Sequence, residues 1–294
     1  MKRNLIQKGI AWAGSKNVFN LMPDESYLKL MFWARMSQKL DFSNPKSLNE
    51  KVQWLKLNDY KDSYVKLADK YEVRNYIKKT LGEEYLIPLV GGPWANWEQI
   101  EMEKLPNKFV LKTTHDSGGV VVCTDKQALN TQKAKEKLDR SLNNNYFWAG
   151  REYPYKYIKP RIIAEQYLTD ESGLELKDYK ILCMNGVPQN VMICTGRLQG
   201  KVKYYFFDLD WNFLPLNYGD DQLPINFTLP KPKHLDEMIR VAKILSKNYK
   251  LLRVDLYEAN GRVYFGEMTF YPDSGFDTDI LPSTDMDFGS RLVL

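Results

Sequence analysis

Asp255 and Glu267 are the residues whose types and spacing first suggest chemistry. Each interrupts a β-rich run, 251–258 and 262–269, and the runs flank Ala259-Asn260-Gly261. Asn-Gly between alternating apolar runs signals a hairpin. Carboxylates inside strands are unfavourable unless a cation meets them. A hairpin brings its two strands within about 5 Å of each other. Oxygen donors so placed suit Mg²⁺, which takes one or two carboxylates, keeps waters and is completed by substrate phosphates. The plainer alternative pairs Asp255 with Arg253 and leaves Glu267 facing water. Sharing one ion requires both acids on one face of the hairpin. A two-residue Asn260-Gly261 turn pairs Asp255 with Gly266 and sends Glu267 to the opposite face. A three-residue loop pairs Asp255 with Phe265 and brings Glu267 and Thr269 to its face. The expectation is therefore the three-residue loop, with Gly261 at positive φ. A β-bulge is the other device that would restore the phase.

Lys112 ends the apolar run Phe109-Val-Leu-Lys112, and the loop Thr113-Thr-His-Asp-Ser-Gly-Gly119 leads into Val120-Val-Val-Cys123. Such a hairpin tip lets backbone N–H groups approach an anion, and the lysine adds a point charge suited to phosphate. An ordinary surface hairpin explains the same residues. The loop is neither a Walker A sequence nor G-x-G-x-x-G. Glu165-Gln166-Tyr-Leu168, followed by Asp178, could supply the polar edge and the hydroxyl-binding acid that a nucleoside needs.

These residues must be positioned by a chain of 294 residues, long enough for two domains or one lobed fold. Seven Trp, 19 Tyr and 13 Phe supply a core and argue against disorder. The net charge of +5 suits acidic ligands but is too dispersed for nucleic acid, so no nucleic-acid partner is expected. Cys123, Cys183 and Cys194 lie in apolar runs and read as free thiols of a reducing, cytoplasmic setting. There is no run of about 18 apolar residues, hence no expected transmembrane segment. The basic N-terminus reads as a packed helix, in preference to one making peripheral membrane contact.

Residues 1–80 read as helical, with helices over Asp24–Met36, after the Ser47-Leu-Asn-Glu50 capping box, and over Tyr64–Lys79. Gly91-Gly-Pro93 reads as a loop. Gln127–Leu142 and His234–Asn248 read as helices. Strands are expected at 109–112, 120–123, 161–168, 178–184, 189–195 and 203–208, besides the hairpin that carries the two acids. The pattern is α+β with antiparallel hairpins.

In this order the elements resemble the ATP-grasp superfamily. More closely, they resemble the TupA-like family of teichuronopeptide biosynthesis in bacterial surface-polysaccharide genes. Ser47-Leu-Asn-Glu-Lys-Val-Gln-Trp54, Leu67-Ala-Asp-Lys-Tyr-Glu-Val-Arg74, Leu105-Pro-Asn-Lys-Phe-Val-Leu-Lys112, Arg253-Val-Asp-Leu-Tyr257 and Tyr264-Phe-Gly-Glu-Met-Thr-Phe270 carry the likeness, across roughly residues 40–294. The resemblance implies an ATP-grasp fold. A helical region (1–80) would precede a small lobe (81–170) and a large lobe (171–294) that clasp ATP.

It also implies roles. Lys70 and Lys112 would hold phosphates under a loop of His115, Ser117, Gly118 and Gly119. Glu165, Gln166 and Leu168 would frame adenine, with Asp178 at the ribose. Asp255, Glu267 and Thr269 would bind Mg²⁺, although Thr269 stands where many relatives have Asn. Arg253, Lys180 and Arg197 would stabilise developing charge. The implied reaction is ATP-dependent carboxylate–amine ligation through an acylphosphate. It would join a uronic acid of a surface polysaccharide, or its precursor, to an amino acid or amine. A glycosyltransferase and a non-catalytic nucleotide-binding partner of glycan enzymes are the rival readings.

Overall fold

The structure is a computed structural model that describes residues 3–170, 176–196, 200 and 202–294. Five helices come first: α1 (Leu5–Ser15), α2 (Asp24–Met36), α3 (Leu48–Asn58), α4 (Asp62–Ala68) and α5 (Val73–Thr80). Ser47 caps α3 with its hydroxyl on the Glu50 N–H, and Glu50 returns the bond to the Ser47 N–H, as its sequence requires. The single helix expected over 64–79 is two. Asp69 breaks it, because its carboxylate accepts the N–H groups of Tyr71 and Glu72 at 2.8 and 3.2 Å. That local bonding competes with helix continuation. The break also frees the Lys70 N–H to bond the Thr114 carbonyl at 3.0 Å. Helix α1 packs against α2, yet Leu5, Ile6 and Trp12 stay exposed on it.

Four strands build a first antiparallel sheet: β1 (Leu89–Trp94), β2 (Phe109–Thr113), β3 (Val120–Cys123) and, after α6 (Thr131–Leu142), α7 (Phe147–Gly150) and α8 (Tyr153–Tyr157), β4 (Ile162–Gln166). Their order is β1-β4-β2-β3. Gly91-Gly92-Pro93 lies inside β1 rather than in a loop, and the pairing with β4 shifts register around it. Helix α6 starts later than its sequence suggests, where the Asn130 side chain accepts the Lys133 N–H.

The second sheet has six antiparallel strands in the order β10-β9-β5-β6-β7-β8. They are β5 (Asp178–Met184), β6 (Val187–Thr195), β7 (Lys203–Phe207), β8 (Phe213–Leu214) and, after α9 (Leu235–Ser246), β9 (Leu251–Ala259) and β10 (Arg262–Thr269). Helix α10 (Pro282–Arg291) closes the described chain and packs on α3. The amphipathic α9 lays Met238, Val241, Ala242 and Leu245 on Ile181, Cys183, Leu252 and Val254 of one sheet face. Removing each such side chain from water contributes roughly 1.5–3 kcal/mol. That face is the core, so residues of opposite parity on β5, β6 and β9 are left for the other face.

The turn before β10 corrects the three-residue expectation. Ala259 pairs with Arg262 across a two-residue turn, Asn260 at φ 51° and Gly261 at φ 69°. Positive φ at both central positions is a type I′ geometry matched to strand twist. The positive φ expected at Gly261 is therefore present, in a shorter turn. Phase is recovered further on. Phe265 opposes Leu256, Gly266 bulges out, and Glu267 opposes Asp255. A Cβ on Gly266 would stand 2.9 Å from the Asp255 carbonyl oxygen, so the bulge fits glycine.

Candidate active site

Register sorts the second sheet's open face into rows. Thr269, Arg253, Leu182 and Asn190 lie opposite one another across β10, β9, β5 and β6. The next row is Glu267, Asp255, Lys180, Met192 and Phe206, and the third is Tyr257, Asp178, Cys194 and Tyr204. Opposed residues share a face. Arg253, Asp255, Lys180 and Asp178 are thus gathered by pairing alone.

A cleft of about 420 Å³ lies between this face and the first sheet. Its volume is in the range of small-molecule sites. Lys70, Lys112, Ser117, Gly118, Glu165, Asp178, Lys180, Arg253, Asp255 and Glu267 all line it. These residues come from seven separate segments of the chain. Asp116, within the loop expected over the phosphates, lines it too, as do Tyr257 and Asp273, which sequence reasoning missed. Tyr257 carried a signal, since it follows Asp255 by two residues and so shares its face.

The charges interlock. Arg253 Nε donates to Asp255 Oδ1 at 2.8 Å and its Nη2 to Oδ2 at 3.1 Å. The same Nη2 lies 3.6 Å from Glu267 Oε1. Both acids of the hairpin therefore touch one guanidinium. Lys180 Nζ bonds Asp255 and sits 2.8 Å from Asp178 Oδ2. Burial works to raise the Asp255 pKa, but Arg253 and Lys180 outweigh it and hold the carboxyl at about 2. Burial would likewise lower the Arg253 pKa, and Asp255, Asp273 and Glu267 instead push it well above its ordinary value. Across the cleft Lys112 Nζ lies 2.6 Å from Glu165 Oε2, and Arg74 Nη1 is 3.6 Å from Oε1. Arg74 was not anticipated as a site neighbour, although it falls one helical turn after Lys70 in a quoted motif.

The loop after β2 is anchored from beneath. The Asp116 carboxylate accepts the hydroxyls of Thr113 and Ser141, and Lys70 donates to the Asp116 carbonyl. The loop reaches the cleft through Asp116, Ser117 and Gly118.

Other expected residues are not brought to the cleft. His115 is buried, and its Nε2–H donates to the carbonyls of Ser141 and Asn144 at 3.1 and 3.2 Å, under the end of α6. Gly119 faces inward, where a Cβ would meet Thr113 and Ser141 side chains. Gln166 is exposed at the end of β4, and Leu168 is buried with Ile87, Ala259 and Tyr264. Thr269 sits beside the site, its hydroxyl 3.2 Å from Glu267 Oε1 and 3.4 Å from Arg253 Nη2. It thus braces both residues. Arg197 lies outside the described residues. Cys123, Cys183 and Cys194 are free and buried.

A family model described as TupA-like ATPgrasp matches residues 50–293. The chain belongs to the TupA-like ATP-grasp family. Among curated proteins none matches it. Similar solved structures include the D-alanine–D-alanine ligase of Helicobacter pylori, at 14% identity and TM-score 0.41 over 84% of this chain and 69% of that one. The Bacillus anthracis ligase complexed with ATP aligns at 16% identity and TM-score 0.40 over 85% and 66%. D-alanyl-alanine synthetase A from Vibrio cholerae O1 biovar eltor str. N16961 aligns at 10% and 0.43 over 90% and 68%. The chain spans about two thirds of the length of these ligases. Among the described residues of this family member, no helix is long and apolar enough to cross a membrane.

Proposed function

We propose that this protein is an ATP-dependent carboxylate–amine ligase. The observation that carries the reading is the row Glu267–Asp255–Lys180 with Arg253 beside it, facing Lys112 and Lys70 across one cleft. In this reading Lys70 and Lys112 hold the α- and β-phosphates under the Ser117-Gly118 tip, and Asp178 lies toward the ribose. The adenine end lies beside Glu165, the remaining cleft residue of the set expected to frame it.

The donor set fits Mg²⁺. Asp255 and Glu267 are hard carboxylates opposed on one face. Glu267 is partly open to the cleft, while both Asp255 oxygens accept from Arg253 or Lys180 and would share those bonds with the ion. Among the described residues no group of three or more His, Cys, Asp or Glu is placed to hold a metal. The ion would therefore complete its shell with phosphate oxygens and water. When bound it would neutralise charge on the β- and γ-phosphates. Arg253 and Lys180 would meet the charge that develops on the transferred phosphoryl group.

The reaction would run in two steps. An oxygen of the substrate carboxylate attacks the γ-phosphorus, the bond to the bridging oxygen breaks, and ADP leaves. The amine nitrogen then attacks the acyl carbon, the C–O bond to phosphate breaks, and phosphate and the displaced amine protons depart. Positioning and charge neutralisation suffice for this chemistry, with no covalent protein nucleophile. By the family resemblance the acid is a uronic acid of a surface polysaccharide or its precursor, and the amine is an amino acid or amino sugar. The free thiols suit a cytoplasmic setting.

ATP with Mg²⁺ should raise the thermal midpoint more than UDP-sugars do. Saturation at 100-fold Kd contributes about 2.7 kcal/mol. A melting scan in which only UDP-sugars shift the midpoint would replace this reading with the glycosyltransferase one.

A further inference from the structure

Behind Arg253 a second, smaller cavity of about 40 Å³ opens beside the cleft, and the two share Lys180, Met192, Arg253 and Asp273. Val52, Leu182, Phe206 and Phe288 give it apolar walls. One wall residue does not belong in such a setting. Asn190 is 1% exposed, and neither its amide oxygen nor its amide nitrogen has a hydrogen-bond partner. Leaving both ends of a buried amide unmatched is costly, and natural interiors rarely tolerate it without a ligand, a water or a functional reason. A cavity this size has room for a small polar group.

The mouth is acidic. Asp273 and Asp277 both line it. Burial, and then the neighbouring Asp273 charge, push the Asp277 carboxyl up to about 6. Among the described residues no basic side chain pairs with Asp277 within ion-pair distance, whereas Asp273 lies 3.8 Å from Arg253 Nη1. An acid placed so favours the arrival of a cation.

We propose that this cavity is the acceptor subsite. It takes a small primary amine that carries a neutral hydroxyl or carboxamide, with the ammonium against Asp273 and Asp277 and the neutral group on Asn190. The proposal rests on the ligase reading above and adds to it which end of the cleft receives the amine and what distinguishes that amine. An amine held there lies beside Arg253, on the side away from Lys112. The two cations on its wall, Lys180 and Arg253, are already engaged by Asp178 and Asp255. An anionic tail in place of the neutral group would therefore meet apolar walls and two acids, so of the acceptors proposed above, amino acids with a free carboxylate are disfavoured.

The test uses glycinamide, which joins an ammonium to a carboxamide, and glycine as its anionic counterpart. Binding is followed by ligand-observed NMR on the full chain saturated with the non-hydrolysable ATP analogue AMP-PNP and Mg²⁺. Wild-type protein should bind glycinamide at least tenfold tighter than glycine. Asn190→Leu and Asp277→Asn should each weaken glycinamide at least tenfold while changing AMP-PNP affinity less than twofold. Asn190→Leu should also melt higher than wild type, because an unmatched amide gives way to a packed side chain. Asp277→Asn provides a second probe if the Leu variant does not fold. Undiminished glycinamide binding in either folded variant overturns the subsite, as does wild-type protein that binds AMP-PNP but not glycinamide. Failure to bind AMP-PNP at all would instead sink the ligase reading.

Discussion

Glu165 on the first sheet and Asp255 on the second are each held by one lysine and one arginine, on opposite walls of the same cleft. They differ in depth and in the balance of charge around them. Side-chain exposure is 10% for Glu165 and 17% for Lys112, against 2% for Asp255 and 8% for Lys180. Arg74 has its pKa lowered, because burial outweighs Glu165, while Arg253 has its own raised by three acids. The first wall, with Lys70, Lys112 and Arg74 against Glu165 and Asp116, carries surplus positive charge. The second, with Asp178, Asp255, Glu267 and Asp273 around Lys180 and Arg253, carries surplus negative charge. In the proposed reading one wall suits phosphate and the other a cation. A metal–triphosphate complex presents both.

The largest expected effect tests depth. Asp255→Leu strands two buried cations and should cost about 3–5 kcal/mol of unfolding free energy, whereas Glu165→Gln should cost about 1 kcal/mol. Urea denaturation that finds equal losses would erase the distinction between the walls. Next comes chemistry. Lys112→Ala and Glu267→Gln should each lower ADP formation by roughly 10²–10³-fold with the fold retained by circular dichroism. Normal turnover in either variant removes its residue from the machinery.

A smaller effect concerns acid. The Asp255 pKa falls from 3.8 to about 2 on folding, since Arg253 and Lys180 outweigh burial. The stability it contributes is present above pH 3.8 and is lost as pH falls through about 2, on the order of 2 kcal/mol. A carbon-detected titration that places the Asp255 midpoint above 4 would contradict this. Smallest is Arg253→Lys. It should keep ATP binding but lower kcat about tenfold, because a point charge replaces a fork that spans Asp255 and Glu267. An unchanged kcat would return Arg253 to a purely structural ion pair.

Local chemistry made much of the fold readable. The capping box of α3, the hairpin around Asn260-Gly261 (though not its turn length) and the alternation of β5 and β9 are written in neighbouring residues. What went unread depends on distant partners. Asp69 ends a helix by bonding the next N–H groups, and Arg161, 92 positions away in sequence, fixes the other oxygen of its carboxylate at 2.7 Å. His115 leaves the cleft because two carbonyls at the end of α6 accept its N–H. The Glu267 phase needed a bulge that no turn motif announces. Asn190 gave no signal at all, since an asparagine in a strand becomes informative only when its empty surroundings are known.

Gly266 has a consequence outside the chemistry. Strand β10 is the edge of the six-stranded sheet, and Val263-Tyr-Phe265 on it are apolar. A flat apolar edge is a template on which a foreign strand can add. The bulge interrupts the outward row of backbone donors and acceptors and twists it, and Leu86 covers the neighbouring Phe265 through a bridge. The residue that swings Glu267 toward Asp255 thus also interrupts a sheet edge on which another copy of the chain could add a strand.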